Sequence, residues 1–178
     1  AELGFQSVLY SLPTGAFSTT PILTPDTPAP TVVFDHGPGG TAVIGRDSHG
    51  LVLTRHRRYL WAADRAANTI LVVDPDTDSV VNEFSLNGLD PAPDILGLSP
   101  GGNRVYMTMR GPFPLTGNNP AVGNAVGATP GLGVIQVKHG GLTGVFLGGV
   151  RISHIDPGSG TERADPHGLA VRTIAGKK

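Results

Sequence analysis

Residues 49–65 read HGLVLTRHRRYLWAADR, and residues 94–110 repeat this phrase as DILGLSPGGNRVYMTMR. The two copies begin 45 positions apart, and the opening phrase returns a third time at residues 167–172 (HGLAVR). Short apolar runs at such a period, separated by Gly, Pro, Asn and Asp, are typical of stacked four-stranded units. The repeat therefore predicts an all-β protein that forms a segment of a β-propeller.

The two best copies each predict one four-stranded blade. β-Branched and aromatic runs bounded by turn-forming residues mark the strands. The first blade, over about 50–88, has predicted strands at 51–54, 59–63, 69–73 and 80–86. The second, over about 94–152, has predicted strands at 95–98, 104–109, 133–137 and 145–152. We expect Trp61, the only tryptophan, to lie in the core between blades.

The N-terminal region predicts a blade that lacks one strand. Within about 8–46, runs at 8–12, 31–35 and 41–44 match the second, third and outer strands. The third copy of the phrase supplies a spare strand at 167–173. If that strand completes the first blade, the 178 residues form one segment of about three antiparallel blades, closed as propellers commonly are.

Composition excludes several classes of function. The 13 Lys and Arg against 14 Asp and Glu give a net charge of −1, so nothing favours nucleic acid as a partner. No apolar run approaches the roughly 20 residues of a membrane span. The chain has no cysteine, which rules out disulfides, thiolate metal sites and a cysteine nucleophile.

The same residues carry a resemblance to a known family. The chain resembles the YVTN-type β-propeller repeat, in which a "PHG" phrase leads to "YVAN", then to "NTVSVID" and "T-KVV". The corresponding stretches here are 49–51, 59–64, 68–74 and 78–81. The resemblance implies a surface or secreted protein related to lactonase and nitrous oxide reductase propellers. It also implies that the chain is about half of an ordinary six- to eight-bladed member.

The histidines of the repeated phrase are the strongest candidates for a site. His49 and His167 each precede an innermost strand, and Asp94 occupies the matching position in the blade between them. Equivalent residues of successive blades converge at the central channel, so these three side chains are candidate ligands of one divalent metal ion. The alternative is a structural role, in which each imidazole bonds to a neighbouring blade.

A long irregular insertion interrupts the second blade at residues 111–131. Insertions of this kind in compact repeats often form binding surfaces. The polar side chains in it or beside it are therefore candidate contacts to a ligand or partner: Arg110, Asn118, Asn119 and Asn124.

Three further motifs have simpler explanations. Residues 74–78 (DPDTD) begin like a calcium loop but lack its glycine and closing glutamate, which favours a turn. Residues 47–49 (DSH) contain the residue types of a hydrolase triad, but neighbours in an extended chain point in different directions. The basic run at 55–58 (RHRR) fits an anionic ligand or a solvated turn.

These features favour a non-enzymatic propeller that binds a ligand or protein and is secreted, periplasmic or on the cell surface. One alternative is a metal-dependent enzyme of the lactonase or hydrolase kind, with its site at the central channel. Another is an inactive piece of a longer propeller. Three blades leave unpaired edges, so we expect a homodimer or a complementary propeller chain as partner.

Overall fold

The computed structural model describes residues 5–12, 31–39, 46–86, 91–113 and 126–173. Within these ranges the regular structure is β-strand, apart from single 3-10 turns at Arg55–Arg57 and His139–Gly141. The strands are β1 (Phe5–Ser11), β2 (Thr31–Gly39), β3 (Ser48–Leu53), β4 (Leu60–Asp64), β5 (Thr69–Asp74), β6 (Ser79–Ser85), β7 (Pro93–Leu98), β8 (Arg104–Met109), β9 (Gly131–Lys138) and β10 (Thr143–Arg151). In the same part of the chain, no helix is long and apolar enough to cross a membrane.

The strands form two four-stranded sheets and one hairpin. The sheets have the orders β3-β4-β5-β6 and β7-β8-β9-β10, with every neighbouring pair antiparallel, and β1 pairs with β2. β4 and β5 are nearly continuous apolar runs because both of their faces are covered, whereas the outer strand β6 alternates. The described part of the chain is thus all-β, with two complete propeller blades and part of a third. The all-β propeller class that the repeat predicted is confirmed.

The two complete blades pack face to face through one apolar core. Trp61 and Ile70 of the first blade meet Met107, Met109 and Ile135 of the second, and all five side chains are fully buried. The indole Nε1 of Trp61 donates a hydrogen bond of 2.7 Å to the carbonyl oxygen of Gly141, which lies before β10. The prediction that Trp61 packs between blades is confirmed.

The β1–β2 hairpin covers the opposite face of the first complete blade. Phe34 of β2 is buried against Ala62, Leu71 and Val73. This places the hairpin where a preceding blade would lie. The outer strand that the sequence predicts at 41–44 lies outside the described residues.

The predicted closing strand at 167–173 is not observed as a strand. Residues 163–173 have irregular backbone, and the Leu169 and Val171 side chains lie against Gly97 of β7. A Cβ atom at Gly97 would be 3.0 Å from an atom of each. The third copy of the phrase therefore lies beside the last blade, where a following blade would begin, and does not pair with β1. Strand counting cannot tell which end of the stack a spare segment contacts, and pairing of these residues with another chain stays a prediction.

A glycine permits the closest approach between blades. A Cβ atom at Gly50 in β3 would lie 2.0 Å from the carbonyl oxygen of Asp94 in β7. No side chain fits in that distance, so the innermost strands meet only because residue 50 is glycine. Gly168, in the third copy of the phrase, has no such neighbour within 4 Å.

We predict that Gly50→Ala lowers the free energy of unfolding by about 1–3 kcal/mol, because the added methyl must push two backbones apart. Urea unfolding followed by Trp61 fluorescence measures this change. Gly168→Ala is the matched control and should change stability by less than about 0.5 kcal/mol. Equal effects of the two substitutions would contradict the packing described here.

Candidate functional site at the channel mouth

The three repeat-equivalent residues His49, Asp94 and His167 meet at one point. Nδ1 of His49 lies 2.8 Å from Oδ1 of Asp94, and Nδ1 of His167 is hydrogen-bonded to Oδ2 of the same carboxylate. The two imidazole rings are tilted by 44°, with centroids 5.2 Å apart. This convergence follows from the repeat, since each of the three residues is the first residue of one copy of the repeated phrase.

A buried arginine holds the carboxylate of Asp94 from the other side. Arg65 follows β4 and donates from Nη1 to Asp94 Oδ1 at 3.1 Å. Its Nε and Nη2 donate to the two carboxylate oxygens of Asp47 at 2.7 and 3.1 Å. Arg65 therefore connects the start of the first complete blade, just before β3, with the start of the second, in β7. We refer to Asp47, His49, Arg65, Asp94 and His167 as the channel-mouth cluster.

Sequence reasoning missed Arg65 as part of the site. The available signal was its repetition, because Arg110 ends the second copy of the phrase as Arg65 ends the first. The structure gives Arg110 the equivalent role, with Nε and Nη2 donating to the Asp165 carboxylate at 3.1 and 3.3 Å. Each arginine thus ends one copy of the repeated phrase and binds an aspartate at or just before the start of the next copy.

The burial of Arg110 argues against the prediction that this residue, beside the insertion, contacts a ligand or partner. Its side chain is only 1% exposed and is paired with Asp165. The reason is that residue 110 comes directly after β8, inside the stack, rather than within the insertion. The other candidate contacts, Asn118, Asn119 and Asn124, lie outside the described residues.

Two opposing effects set the ionisation of Asp94. Burial alone would raise the pKa of this carboxyl. The close contact and charge of His49, the charge of Arg65 and the hydrogen bond of His167 outweigh it and lower the pKa to about 2. The cluster is therefore built around a carboxylate that stays ionised well into the acid range.

The two imidazole rings point Nδ1 at the Asp94 carboxylate and not at a shared position where a metal ion could bind. Nδ1 of both rings faces Asp94, and the Nδ1 of His49 is buried without a well-aligned acceptor. Among the described residues, no group of three His, Cys, Asp or Glu side chains is arranged to hold a metal ion. Nε2 of each ring is the atom that remains for a ligand. The metal hypothesis for His49, Asp94 and His167 stays a prediction.

The remaining motifs have structural explanations. Residues 74–78 form a turn in which Asp74 Oδ1 accepts a hydrogen bond from the Asp76 amide at 2.9 Å. Asp47 pairs with Arg65 while His49 faces Asp94, so these two neighbours in the DSH motif serve different partners.

The sequence matches no protein-family model and no curated protein. Among solved structures, the β-propeller domain of Cps50 (Swd1) from Myceliophteria thermophila is 9% identical, with a TM-score of 0.42; the match covers 61% of this chain and 28% of that one. A functionally unknown protein from Desulfotomaculum acetoxidans is 16% identical, also with a TM-score of 0.42, over 74% of this chain and 35% of that one. The chain thus spans well under half the length of both proteins. Its own sheet order and blade packing define the fold.

We predict that Asp94→Asn lowers the free energy of unfolding by about 3 kcal/mol at pH 7, because it leaves Arg65 without one of its charge partners. The pKa of Asp94 is about 2 in the folded chain against 3.8 ordinarily, so its ionisation stabilises the fold above about pH 4. That contribution is lost as the pH falls towards 2.

Urea unfolding at pH 7 and pH 3 measures this difference. The gap in stability between the parent chain and Asp94→Asn should narrow by roughly 1 kcal/mol at pH 3. The control is Asp76→Asn, which changes an exposed carboxyl in the turn after β5. A gap that is the same at both pH values would show that Asp94 is not held ionised by the cluster.

Proposed function

We propose that this chain is a propeller scaffold that binds a ligand or protein at the channel mouth, and that it works outside the cytoplasm. The observation that carries the proposal is the complete pairing of the charged groups there. Arg65 pairs with both Asp47 and Asp94, and Arg110 pairs with Asp165. Such a network can hold the binding surface at the channel mouth in a fixed shape, because each of these buried charges already has a partner within the protein.

The two imidazoles are the cluster members that reach solvent. The His49 and His167 side chains are 24% and 37% exposed, whereas Asp94 is fully buried. With Nδ1 directed at Asp94, each Nε2 is available to a ligand group that donates or accepts a hydrogen bond. Polar groups such as hydroxyls, carbonyls and carboxylates fit this pair of rings.

The second candidate is a metal-dependent enzyme of the lactonase or hydrolase kind. One observation favours it: a carboxylate that anchors Nδ1 of a histidine is the usual support of a metal-bound imidazole. The fit is incomplete, because catalytic zinc takes three protein ligands and the described residues supply two imidazoles, with Asp94 supporting them. The resemblance to YVTN-type repeats is compatible with both candidates.

Metal analysis of the purified chain separates the two candidates. The scaffold proposal predicts no stoichiometric divalent ion, and melting temperatures that zinc, copper or calcium leave unchanged. The matched variant is His49→Ala/His167→Ala, which removes both imidazoles. A stoichiometric ion that raises the melting temperature and is lost in this variant would overturn the scaffold proposal in favour of the enzyme.

We also propose that further blades cover both faces of the segment, from a second copy, a complementary chain or more of a longer polypeptide. Leu51 and Leu53 on β3 are 48% and 42% exposed beside the β1–β2 hairpin. On the last strand, β10, Val145, Leu147 and Val150 are at least as exposed. Apolar side chains at the two ends of a blade stack are normally covered.

Light scattering on the chain alone tests this assembly, and we predict a particle larger than the 18.3 kDa monomer. Leu51→Asp should shift the particle towards the monomer because it charges the part of this face that the hairpin leaves exposed. Val81→Asp, at a similarly exposed position on β6, should not. A folded chain that stays monomeric at high concentration would rule out self-assembly.

A further inference from the structure

Three turns at the opposite end of the blades from the channel-mouth cluster line a cleft that is half open to solvent. They connect β3 to β4, β7 to β8 and β9 to β10. Since β3 has six residues, this cleft is roughly 20 Å from the cluster. Its volume is about 340 Å³, which is in the range of small-molecule sites. We call it the rim cleft, lined by Arg55, His56, Gly101, Gly102, Asn103, Val137 and Gly140.

The three turns are strongly cationic. Residues 54–59, 99–104 and 137–143 contain no Asp or Glu. They carry five permanent positive charges and two histidines: Arg55, Arg57, Arg58, Arg104, Lys138, His56 and His139. This concentration occurs in a chain whose net charge is only −1. The acidic turn at 74–78 is at the same end of its sheet but does not line the cleft.

The backbone of these turns is held in unfavourable conformations. His56, Arg57 and His139 have φ angles of 60°, 54° and 49°, in the left-handed region that Gly and Asn adopt more easily. The sequence keeps basic side chains at these positions despite the conformational cost. Strain of this kind often accompanies a functional site.

Packing fixes the three turns against one another. A Cβ atom at Gly102 would be 2.7 Å from the Arg55 side chain, and one at Gly141 would be 2.7 Å from the Thr54 hydroxyl. The Val137 amide donates to the Asn103 carbonyl oxygen at 3.0 Å. The cleft is therefore preorganised, and a ligand can approach the backbone closely at Gly140, where a Cβ atom would have no neighbour within 4 Å.

We propose that the rim cleft binds a small polyanion that carries phosphate or sulfate groups. Arg55 supplies a cationic donor and His56 an imidazole at the cleft itself, and the surrounding basic side chains raise the local concentration of anions. The size of the cleft favours a small ligand over an extended macromolecule. This site is separate from the one under the proposed function, so either proposal can fail without the other.

The test is binding of inorganic triphosphate to the full 178-residue chain, measured by calorimetry at low and moderate salt. Arg55→Met/His56→Asn should weaken binding at least tenfold. Methionine keeps the apolar stem that packs on Gly102, and asparagine tolerates the left-handed backbone. Arg172→Met is the control, because it removes the same formal charge from an exposed arginine outside the cleft.

Triphosphate should also shift the amide resonances of Gly101, Gly102 and Gly140, whereas the channel-mouth double variant His49→Ala/His167→Ala should bind it normally. Sulfate should bind more weakly at the same place. No binding at low salt, an equal loss in Arg172→Met, or no shift at the three glycine amides would overturn the proposal. The amide titration on the unmodified chain decides the matter even if the cleft variant does not fold.

Discussion

The arrangement of this chain depends on the contact between Arg65 and Asp94. The guanidinium of Arg65 is 3% exposed and binds the leading segments of two successive blades at once. A buried charge is tolerated only when it is paired and hydrogen-bonded. The two blades must therefore keep one relative position, because any other breaks the Arg65–Asp94 pair and leaves the buried Asp94 carboxylate without its arginine. Apolar packing holds the blades together, and the ion pair defines how they are aligned.

The site follows from that alignment. Once Asp94 is fixed by Arg65, its two carboxylate oxygens face His49 and His167. Gly50 allows the innermost strands to approach closely enough for these contacts. At the other end of the same strands, the close packing of turns creates the rim cleft. One packing geometry thus produces two chemically different surfaces, one with imidazoles and one with arginines and glycines.

Much of the fold was predictable because the repeat is periodic. The apolar runs of β4 and β5 and the turn residues between strands reflect local rules. The convergence of His49, Asp94 and His167 was also predictable, since equivalent repeat positions lie at equivalent places. The direction of a side chain is not set by such rules. Arg110 follows a strand as a loop residue would, yet its guanidinium turns inward to Asp165. The position of residues 167–173 could not be predicted, because no local sequence pattern indicates which blade these residues contact.

A double-mutant cycle on Arg65 and Asp94 tests the central claim most directly. The free energies of unfolding of the parent chain, Arg65→Met, Asp94→Asn and the combined variant give the coupling energy between the two side chains. If the ion pair aligns the blades, the coupling should be about 1–3 kcal/mol, because the second substitution costs little once the first has broken the pair. Additivity within about 0.5 kcal/mol would show that the two side chains act independently and would contradict the account.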